Sequence, residues 1–370
     1  MPAGYNPAMV TRDMIQRLPK VELHDHLNGG LRPATVCELA AAAGIALPSS
    51  DPVELGAWFR RGADRKSLAL YLEGFAYTVG VMQTAAAIER VAREAIEDLA
   101  AGNVVYAEIR FAPILLTQGG LNLEAVVEAA LRGLKEGGRS TGLRWGLILC
   151  AMRNMDPALS LETAELAVAY RDRGVVGFDI AGDEHGHPPK RHLEAFQHIR
   201  DKNFNITIHA GEAFGPESIW QAIQTCGAHR IGHGTRLVED MTLSGSRITK
   251  LGSLAAFVRD RRVPLECCLS SNVQTGAAPS YDQHPFGALY RSDYRVALCS
   301  DNRLMSGTDL CREMELAVEH FGLGLRDLEK ITINAMKSAF APYDERVRVI
   351  YDQIKPGYAR VREETNPDEA

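Results

Sequence analysis

The stretch VELHDH, residues 21–26, runs from a strand-like segment into two histidines separated by one residue. Three further segments have the same form: residues that can bind a metal or transfer a proton lie at the end of an apolar, β-branched run or directly after it. They are HAGE at 209–212, GHG at 232–234 and SDN at 300–302. Side chains so far apart in the chain can meet only if the fold brings the ends of their strands together. A closed barrel of parallel strands does so, because all its strands end at one face.

Strand-like runs bounded by Gly, Pro or Asn recur along the whole chain, as expected for strands buried on both faces. Segments with helical periodicity separate them, and Thr84 and Gly102 mark the start and end of the clearest one. This alternation predicts an α/β fold, a (β/α)8 TIM barrel. The predicted strands are 21–24, 104–111, 145–150, 175–180, 206–209, 230–233, 263–268 and 296–301, and the predicted helices are 84–101, 123–137, 158–173, 188–202, 216–226 and 250–261.

We interpret residues 1–370 as a single domain. The gap after the first strand is too long for one crossover, so residues 33–82 are predicted to form an inserted helical lid over the barrel mouth. Residues 306–358 are expected to form extra helices that pack around the outside of the barrel. Residues 359–370, rich in Glu, Asn, Pro and Asp, are expected to be a flexible tail.

Composition excludes several classes of protein. The formal net charge is −6 and no long basic run occurs, so nucleic-acid binding is not expected. The seven scattered cysteines form no CxxC pair, which is typical of reduced thiols in a cytoplasmic protein. No apolar stretch is long enough to cross a membrane, and the first residues lack the apolar core of a secretory signal. The sequence leaves open whether the protein is a monomer or a homodimer.

Residues i and i+2 of a strand point to the same side, so His24 and His26 can both face the barrel interior. His209 ends the predicted fifth strand and Asp301 ends the eighth. Three imidazoles and one carboxylate suit Zn²⁺, and such a set would also accept Fe²⁺ or Co²⁺. We therefore expect one zinc ion per chain, whose further ligand is a water with its pKa lowered to about 7.

Six segments together resemble the motifs of the adenosine deaminase family of amidohydrolase barrels. The resemblance implies a zinc-dependent hydrolase that converts adenosine and 2′-deoxyadenosine to the inosine forms with release of ammonia. Metal-activated hydroxide would attack purine C6. The matching segments occur in family order between about residues 20 and 340: VELHDHLNGG (21–30), GFDIAGDE (177–184), HAGE (209–212), GHG (232–234), SDN (300–302) and NAMKSAF (334–340).

The resemblance also implies roles for individual residues. Glu212 protonates purine N1 and carries the water's proton toward the leaving amine. His233 orients the hydroxide and stabilises the charge that develops at C6, while Asp301 both binds the metal and accepts a proton. Gly182 offers a backbone N–H to purine N3. The remaining residues expected at the substrate are His26 and, as part of the lid that excludes water, Trp58 and Phe59.

Two positions depart from the common family pattern. Asn28 replaces an aspartate that contacts the ribose 5′-hydroxyl, and Asn302 replaces one that contacts purine N7. An amide can make both contacts, but Asn28 removes a negative charge and so repels a 5′-substituent less. The alternative substrate is therefore a 5′-modified adenine nucleoside such as aminodeoxyfutalosine, with an N6-modified nucleotide or free adenine less expected.

Two other classes of protein fit the sequence less well. A non-catalytic nucleoside-binding protein is disfavoured, because such a protein would have lost a metal ligand or Glu212, and all are present. A hydrolase with two metals bridged by a carboxylated lysine is also disfavoured, because no lysine lies near the end of the predicted fourth strand.

Overall fold

Parallel strands form a closed barrel in the computed structural model, which describes residues 10–245 and 247–365. Two four-stranded sheets, in the orders β1-β2-β3-β4 and β10-β9-β6-β5, are joined by the bridges Asp25–Asp301 and Phe178–Ile206. The predicted barrel is thereby confirmed. The strands are β1 (Lys20–His26), β2 (Val104–Phe111), β3 (Arg144–Met152), β4 (Val175–Ala181), β5 (Thr207–Ala210), β6 (Arg230–His233), β7 (Met241–Ser244), β8 (Arg247–Leu251), β9 (Leu265–Cys267) and β10 (Val296–Leu298).

Helices surround this barrel in the described part of the chain. The predicted boundary at Thr84 is correct, since its side chain accepts a hydrogen bond from the backbone N–H of Ala87. The helices are α1 (Arg12–Arg17), α2 (Pro33–Ala43), α3 (Pro52–Ala63), α4 (Leu68–Tyr71), α5 (Phe75–Val81), α6 (Ala85–Ala101), α7 (Leu123–Thr141), α8 (Pro157–Ala169), α9 (Leu193–Asp201), α10 (Pro216–Trp220), α11 (Ser253–Asp260), α12 (Leu269–Gln274), α13 (Phe286–Arg291), α14 (Arg303–Ser306), α15 (Leu310–Phe321), α16 (Leu325–Ser338), α17 (Tyr343–Arg348) and α18 (Lys355–Thr365).

The segment 33–82, predicted as a helical insertion, contains α2 to α5. Asp51 caps α3 by accepting from the N–H of Glu54, and Ser67 caps α4 in the same way. That this segment closes over the barrel mouth, and that 1–370 is one domain, stay predictions. None of the helices in the described ranges combines the length and apolarity needed to cross a membrane.

The hairpin of β7 and β8 was not predicted. It is a separate antiparallel pair, and its residues are exposed or half-buried, so it lacks the apolar run by which the barrel strands were recognised. Part of the predicted helix 250–261 is therefore strand, and α11 begins at Ser253. The pairing of such a hairpin depends on its turn and not on burial.

The tail prediction for 359–370 is wrong over its first part. Residues 359–365 continue α18, and residues 366–370 lie outside the described residues. Tyr358 and Val361 of this helix are buried in the core, and the Tyr358 hydroxyl lies 2.9 Å from Oγ1 of Thr332 in α16. The polar composition of residues 359–370 obscured this short apolar face, by which α18 packs against α16.

Strand ends meet where the functional segments lie. The backbone N–H of Asp301 donates to the carbonyl of His24 at 2.7 Å, and the N–H of His26 donates to the carbonyl of Asp301 at 2.8 Å. Ala210 pairs with His233 in the register of β5 and β6. The SDN segment, residues 300–302, is thus held beside the VELHDH segment by backbone hydrogen bonds.

Candidate active site

Four predicted metal ligands converge at the carboxyl ends of the strands. One ligand atom from each of His24, His26, His209 and Asp301 lies within 4.8 Å of all the others. Nε2 of His26 is 3.3 Å from Nε2 of His24 and 3.0 Å from Nε2 of His209. Asp301 Oδ1 is 3.3 Å from the His26 nitrogen. Ligands about 2.1 Å from one ion are separated by roughly 3.0–3.4 Å, so this set fits a single zinc.

The hydrogen bonds on the far side of the histidine rings support the same conclusion. Nδ1 of His24 is 2.8 Å from Oε2 of Glu266, and Nδ1 of His209 is 3.0 Å from Oδ2 of Asp179. A carboxylate accepts only, so each Nδ1 carries the hydrogen, and Nε2 is the atom that each ring can offer to a metal.

A buried ion network holds the two carboxylates. The Arg110 guanidinium donates to Asp179 and to Glu266, each at 2.8 Å. Arg230 donates to the other oxygen of Glu266 at 2.6 Å. Burial acts to raise the pKa of Glu266, but Arg110 and Arg230 lower it well below its usual range. Removing one partner would leave an uncompensated buried charge, so the network keeps both carboxylates ionised against the histidines.

Sequence reasoning assigned no role to Asp179, Glu266, Arg110 or Arg230. Each is a charged residue within a strand whose neighbours are apolar and buried. Charged residues are almost never fully buried unless paired, so this contrast was the available signal. A charged residue in such a strand indicates a buried ion pair, but the sequence does not show which residue is its partner.

Glu212 lies beside the metal ligands and is buried. Its Oε2 is 3.5 Å from Nε2 of His233. Burial, and then the carboxylates of Asp301 and Glu184, raise the pKa of Glu212 to about 8. A carboxyl group with this pKa is mostly protonated at neutral pH and can therefore act as an acid.

The turn that carries Glu212 is wrapped around a second carboxylate, that of Glu184. The Glu184 carboxylate accepts hydrogen bonds from the consecutive backbone N–H groups of 211–214, at 2.6 to 2.9 Å, and from the Ser218 hydroxyl at 2.5 Å. Successive N–H groups facing one anion form a nest. Gly211 permits the turn with a φ of +76°, and a Cβ there would lie 2.5 Å from Ile219.

The backbones of His233 and Asp301 are also unusual. Both have left-handed conformations, with φ of 66° and 63°. Such a conformation is uncommon outside glycine and persists only where the surroundings impose it. In both residues it turns the chain sharply at the strand end, so that the side chain is aimed at the centre of the barrel mouth.

A cavity of about 340 Å³ opens directly over the ligand cluster. Asn28, Gly182 and Asn302, all predicted at the substrate, line it with His26 and Glu212. None of its described lining residues is Lys or Arg. The other lining residues are Leu68, Tyr71, Leu72, Phe75, Ala76, Val79, Ala112, Leu115, Cys150, Met152, Asn154, Ala181, Asp183, His209, His233 and Asp301.

Gly182 and Asn302 have distinct local geometry. Gly182 has a φ of +98°, and a Cβ there would lie 3.1 Å from Oδ1 of Asn154, so a side chain at this position would be strained. Asn302 donates from Nδ2 to Oδ1 of Asp301 at 2.7 Å. Both residues line the cavity.

Two residues predicted at the substrate do not line this cavity. Trp58 and Phe59 of α3 pack edge-on against Tyr77, with ring centroids 5.3 and 6.4 Å away, and line a separate depression with Tyr71. The apolar wall of the cavity comes instead from α4, α5 and the turn between them, through Leu68, Leu72 and Phe75. Periodicity identified an apolar face on α3 but not the surface against which it packs.

Comparisons with known proteins agree with this geometry. A sequence model of the family described as Adenosine deaminase matches residues 19–356. Adenosine deaminase 1 of Streptomyces coelicolor is 55% identical over 98% of this chain and 93% of its own. Among solved structures, adenine deaminase from Arthrobacter aurescens superposes with a TM-score of 0.82 at 26% identity, covering 92% of this chain and 98% of that one. Arabidopsis ADAL complexed with IMP gives 0.78 at 30% identity, covering 94% and 99%.

Proposed function

The chain belongs to the adenosine deaminase family, and from that premise we propose that it hydrolyses adenosine and 2′-deoxyadenosine to inosine and 2′-deoxyinosine with release of ammonia. The observation that carries the proposal is the cavity of about 340 Å³, which has the ligand cluster and the acidic Glu212 together at its base. Its size and mostly apolar lining suit a purine nucleoside.

We propose zinc as the metal, because three imidazoles and one carboxylate are typical zinc ligands and converge at suitable distances. His24, His26, His209 and Asp301 would hold it. When bound, zinc lowers the pKa of a coordinated water to about 7 and so supplies hydroxide at neutral pH. The Nδ1 hydrogen bonds of His24 and His209 would keep both rings in the ligating tautomer.

Glu212 supplies the proton that the purine needs. Its raised pKa keeps the carboxyl protonated at neutral pH, so it donates to purine N1 and makes C6 more electrophilic. It then takes up the proton released as water adds to C6 and delivers this proton to the departing amine. As the bond from C6 to the amine breaks and the C6=O bond forms, the hydroxyl on C6 gives its proton to Glu212. The products are therefore inosine, with the first proton on N1, and ammonia, and Glu212 regains its starting state.

Polar groups along the cavity orient the base and the ribose. The backbone N–H of Gly182 suits purine N3. The amide nitrogen of Asn302 carries two hydrogens, one of which is given to Asp301, so the second can donate to purine N7. Asn28 suits the 5′-hydroxyl, for which its amide can donate or accept. The walls from Leu72 and Phe75 exclude water from the reacting centre.

The cavity lining favours a nucleoside over a nucleotide. Its described residues include the carboxyl groups of Asp183, Glu212 and Asp301 but no lysine or arginine. A 5′-phosphate would enter without a cationic partner, and burying an unpaired charge is costly. We therefore propose that this chain does not bind a nucleotide such as the IMP with which Arabidopsis ADAL is complexed.

A neutral 5′-modified adenine nucleoside is the second candidate. The observation in its favour is Asn28, which lines the cavity with an amide and not with a carboxylate. A thioether or similar uncharged substituent would meet no negative charge from this residue.

We also propose a cytoplasmic location, which the seven free cysteine thiols support because disulfides are rare in that compartment.

The test is to compare kcat/KM of the zinc-loaded enzyme for adenosine, 2′-deoxyadenosine, a 5′-thioether adenosine, AMP and adenine, by the absorbance change on deamination. We expect adenosine to be preferred and AMP to be the poorest nucleoside derivative. A preference for AMP would overturn the nucleoside proposal, and a preference for the thioether would select the second candidate. Glu212→Gln should abolish turnover while zinc stays bound, and retained activity would contradict the mechanism.

A further inference from the structure

A chain of hydrogen bonds reaches the ring of His233 from the side away from the metal ligands. It begins at the backbone of α13, where the N–H of Phe286 lies 3.0 Å from Nδ1 of His284. A backbone N–H can only donate, so His284 accepts at Nδ1. The neutral ring of His284 must therefore carry its hydrogen on Nε2.

The next contact orients an amide. Nε2 of His284 is 3.1 Å from Oδ1 of Asn272, and the Thr235 hydroxyl donates to the same oxygen at 2.8 Å. Because His284 donates here, the oxygen of the Asn272 amide is the atom that faces it. The amide nitrogen then faces Nδ1 of His233, at 3.0 Å. An amide nitrogen donates, so His233 accepts at Nδ1 and carries its own hydrogen on Nε2.

Water does not compete for these contacts. His233 and Thr235 are each 1% exposed, Asn272 is fully buried and His284 is 4% exposed. Burial lowers the pKa of His284 to about 3, which keeps its ring neutral near neutral pH. In a buried chain of donors and acceptors, reversing one bond would leave its neighbours facing donor to donor or acceptor to acceptor, at a cost in stability.

We propose that Asn272 and His284 are positioning residues that hold His233 in the tautomer with its hydrogen on Nε2, so that His233 donates a hydrogen bond into the reaction site and does not act as its base. The proposal rests on the deaminase function proposed above. It leaves proton transfer to Glu212, whose Oε2 lies 3.5 Å from the same Nε2. The direction of every bond follows from the single backbone N–H of Phe286.

The direct test is the tautomer itself, measured by ¹⁵N NMR on the zinc-loaded enzyme with labelled histidine. Protonated and unprotonated nitrogens of a neutral imidazole have well-separated ¹⁵N shifts. Spectra of His233→Gln and His284→Gln assign the two rings. We expect both rings to carry hydrogen on Nε2, and a His233 ring with hydrogen on Nδ1 would overturn the proposal.

Kinetics of matched variants test the consequence. Asn272→Asp keeps the shape of the side chain but replaces the N–H donor by an acceptor, so His233 must place its hydrogen on Nδ1. We expect kcat to fall by about 10²- to 10⁴-fold, as for other wrong-tautomer variants, with KM little changed. Thr235→Val removes a hydrogen bond from the same amide without reversing the bond to His233. It should keep the wild-type tautomer and cost less than about tenfold in kcat.

Variants of His284 provide a rescue test. Glutamine can place an N–H near the position of Nε2, whereas leucine cannot donate. We expect His284→Gln to retain much more kcat than His284→Leu, and equal losses of kcat in the two variants would count against the proposal. An Asn272→Asp variant that keeps the wild-type kcat, although its His233 carries the hydrogen on Nδ1, would also count against it. If the wild-type enzyme fails to deaminate adenosine, the proposed function falls, but the ¹⁵N spectra still decide the direction of the hydrogen bonds.

Discussion

The carboxylate of Glu184 accepts a hydrogen bond from the backbone N–H of Glu212 at 2.9 Å, and so one buried carboxylate holds the segment that carries another. Three further N–H groups and a hydroxyl bind the same carboxylate. Because this hydrogen bond is made by the backbone of Glu212, Glu184 fixes the position of the backbone from which the Glu212 side chain extends. A carboxyl group that transfers protons must be placed within a fraction of an ångström of its partner.

We therefore expect Glu184→Gln to lower kcat by about 10- to 100-fold, because its amide nitrogen would face donors and displace the turn. KM should change less, since the metal ligands and the apolar residues of the cavity wall are unaltered. Steady-state kinetics and thermal unfolding measure both effects. Glu217→Gln, an exposed residue of α10, is the matched control. Equal kcat in the two variants would show that the Glu184 contacts do not position Glu212.

The activity should depend on pH through Glu212. Burial and the neighbouring carboxylates raise its pKa to about 8, and the protonated form is the one that donates to purine N1. As pH rises through about 8 the carboxyl loses its proton, so kcat/KM for adenosine should fall on the alkaline side. The profile of kcat/KM reports groups of the free enzyme. A profile that stays level well above pH 8, in protein that remains folded, would contradict this assignment.

Stability should depend on pH through Glu313, a fully buried residue of α15. It accepts from the backbone N–H of Ser270 at 3.2 Å and from the Thr308 hydroxyl at 2.7 Å. Burial raises its pKa from about 4.5 to about 7, so the unfolded chain loses this proton at lower pH than the folded protein. Between those values the unfolded state binds fewer protons, and the free energy of unfolding falls as pH rises.

Glu313→Gln removes this effect. The difference in unfolding free energy between the variant and the wild-type protein should grow in favour of the variant from pH 4.5 to pH 7, by up to about 3 kcal/mol. Denaturant unfolding at several pH values measures the difference. A difference that does not change with pH would mean that Glu313 titrates alike in the folded and unfolded states.

Metal affinity should depend on Asp179, which never contacts the ion. Its carboxylate accepts from Nδ1 of His209 at 3.0 Å and pairs with Arg110 at 2.8 Å. Asp179→Asn weakens both contacts, so the zinc dissociation constant should rise by about 10- to 100-fold. Competition with a chelator measures it. Asp183→Asn, which alters a cavity carboxylate without a contact to a ligand histidine, should leave the dissociation constant within a few-fold, and equal effects would refute the argument.

Substrate preference should respond to Asn28. Asn28→Asp introduces a carboxylate that accepts from a 5′-hydroxyl but finds no donor on a 5′-thioether. The ratio of kcat/KM for adenosine to that for a 5′-thioether adenosine should rise by about tenfold. An unchanged ratio would show that residue 28 does not contact the 5′ position.

The chemical identity of the candidate site was readable from the sequence. His24, His26, His209, His233 and Asp301 each lie at or close to the carboxyl end of a strand segment, and Glu212 lies in the turn after β5. The position of each relative to its strand is a local property, set by burial and by the two-residue alternation of side chains. Parallel strands in a barrel must end at one face, so local positions were enough to predict that these residues meet.

The tertiary structure alone decided what holds those residues in place. Glu266 of β9 meets His24 of β1, and Asn272, which follows β9, meets His233 at the end of the neighbouring β6, and neither pairing has a local sequence signal. The placement of Trp58 and Phe59 failed for the same reason, since an apolar helix face reveals that it is buried but not what it is buried against. Hydrogen bonds and ion pairs between distant segments depend on relative positions of fractions of an ångström, which only the packed barrel defines.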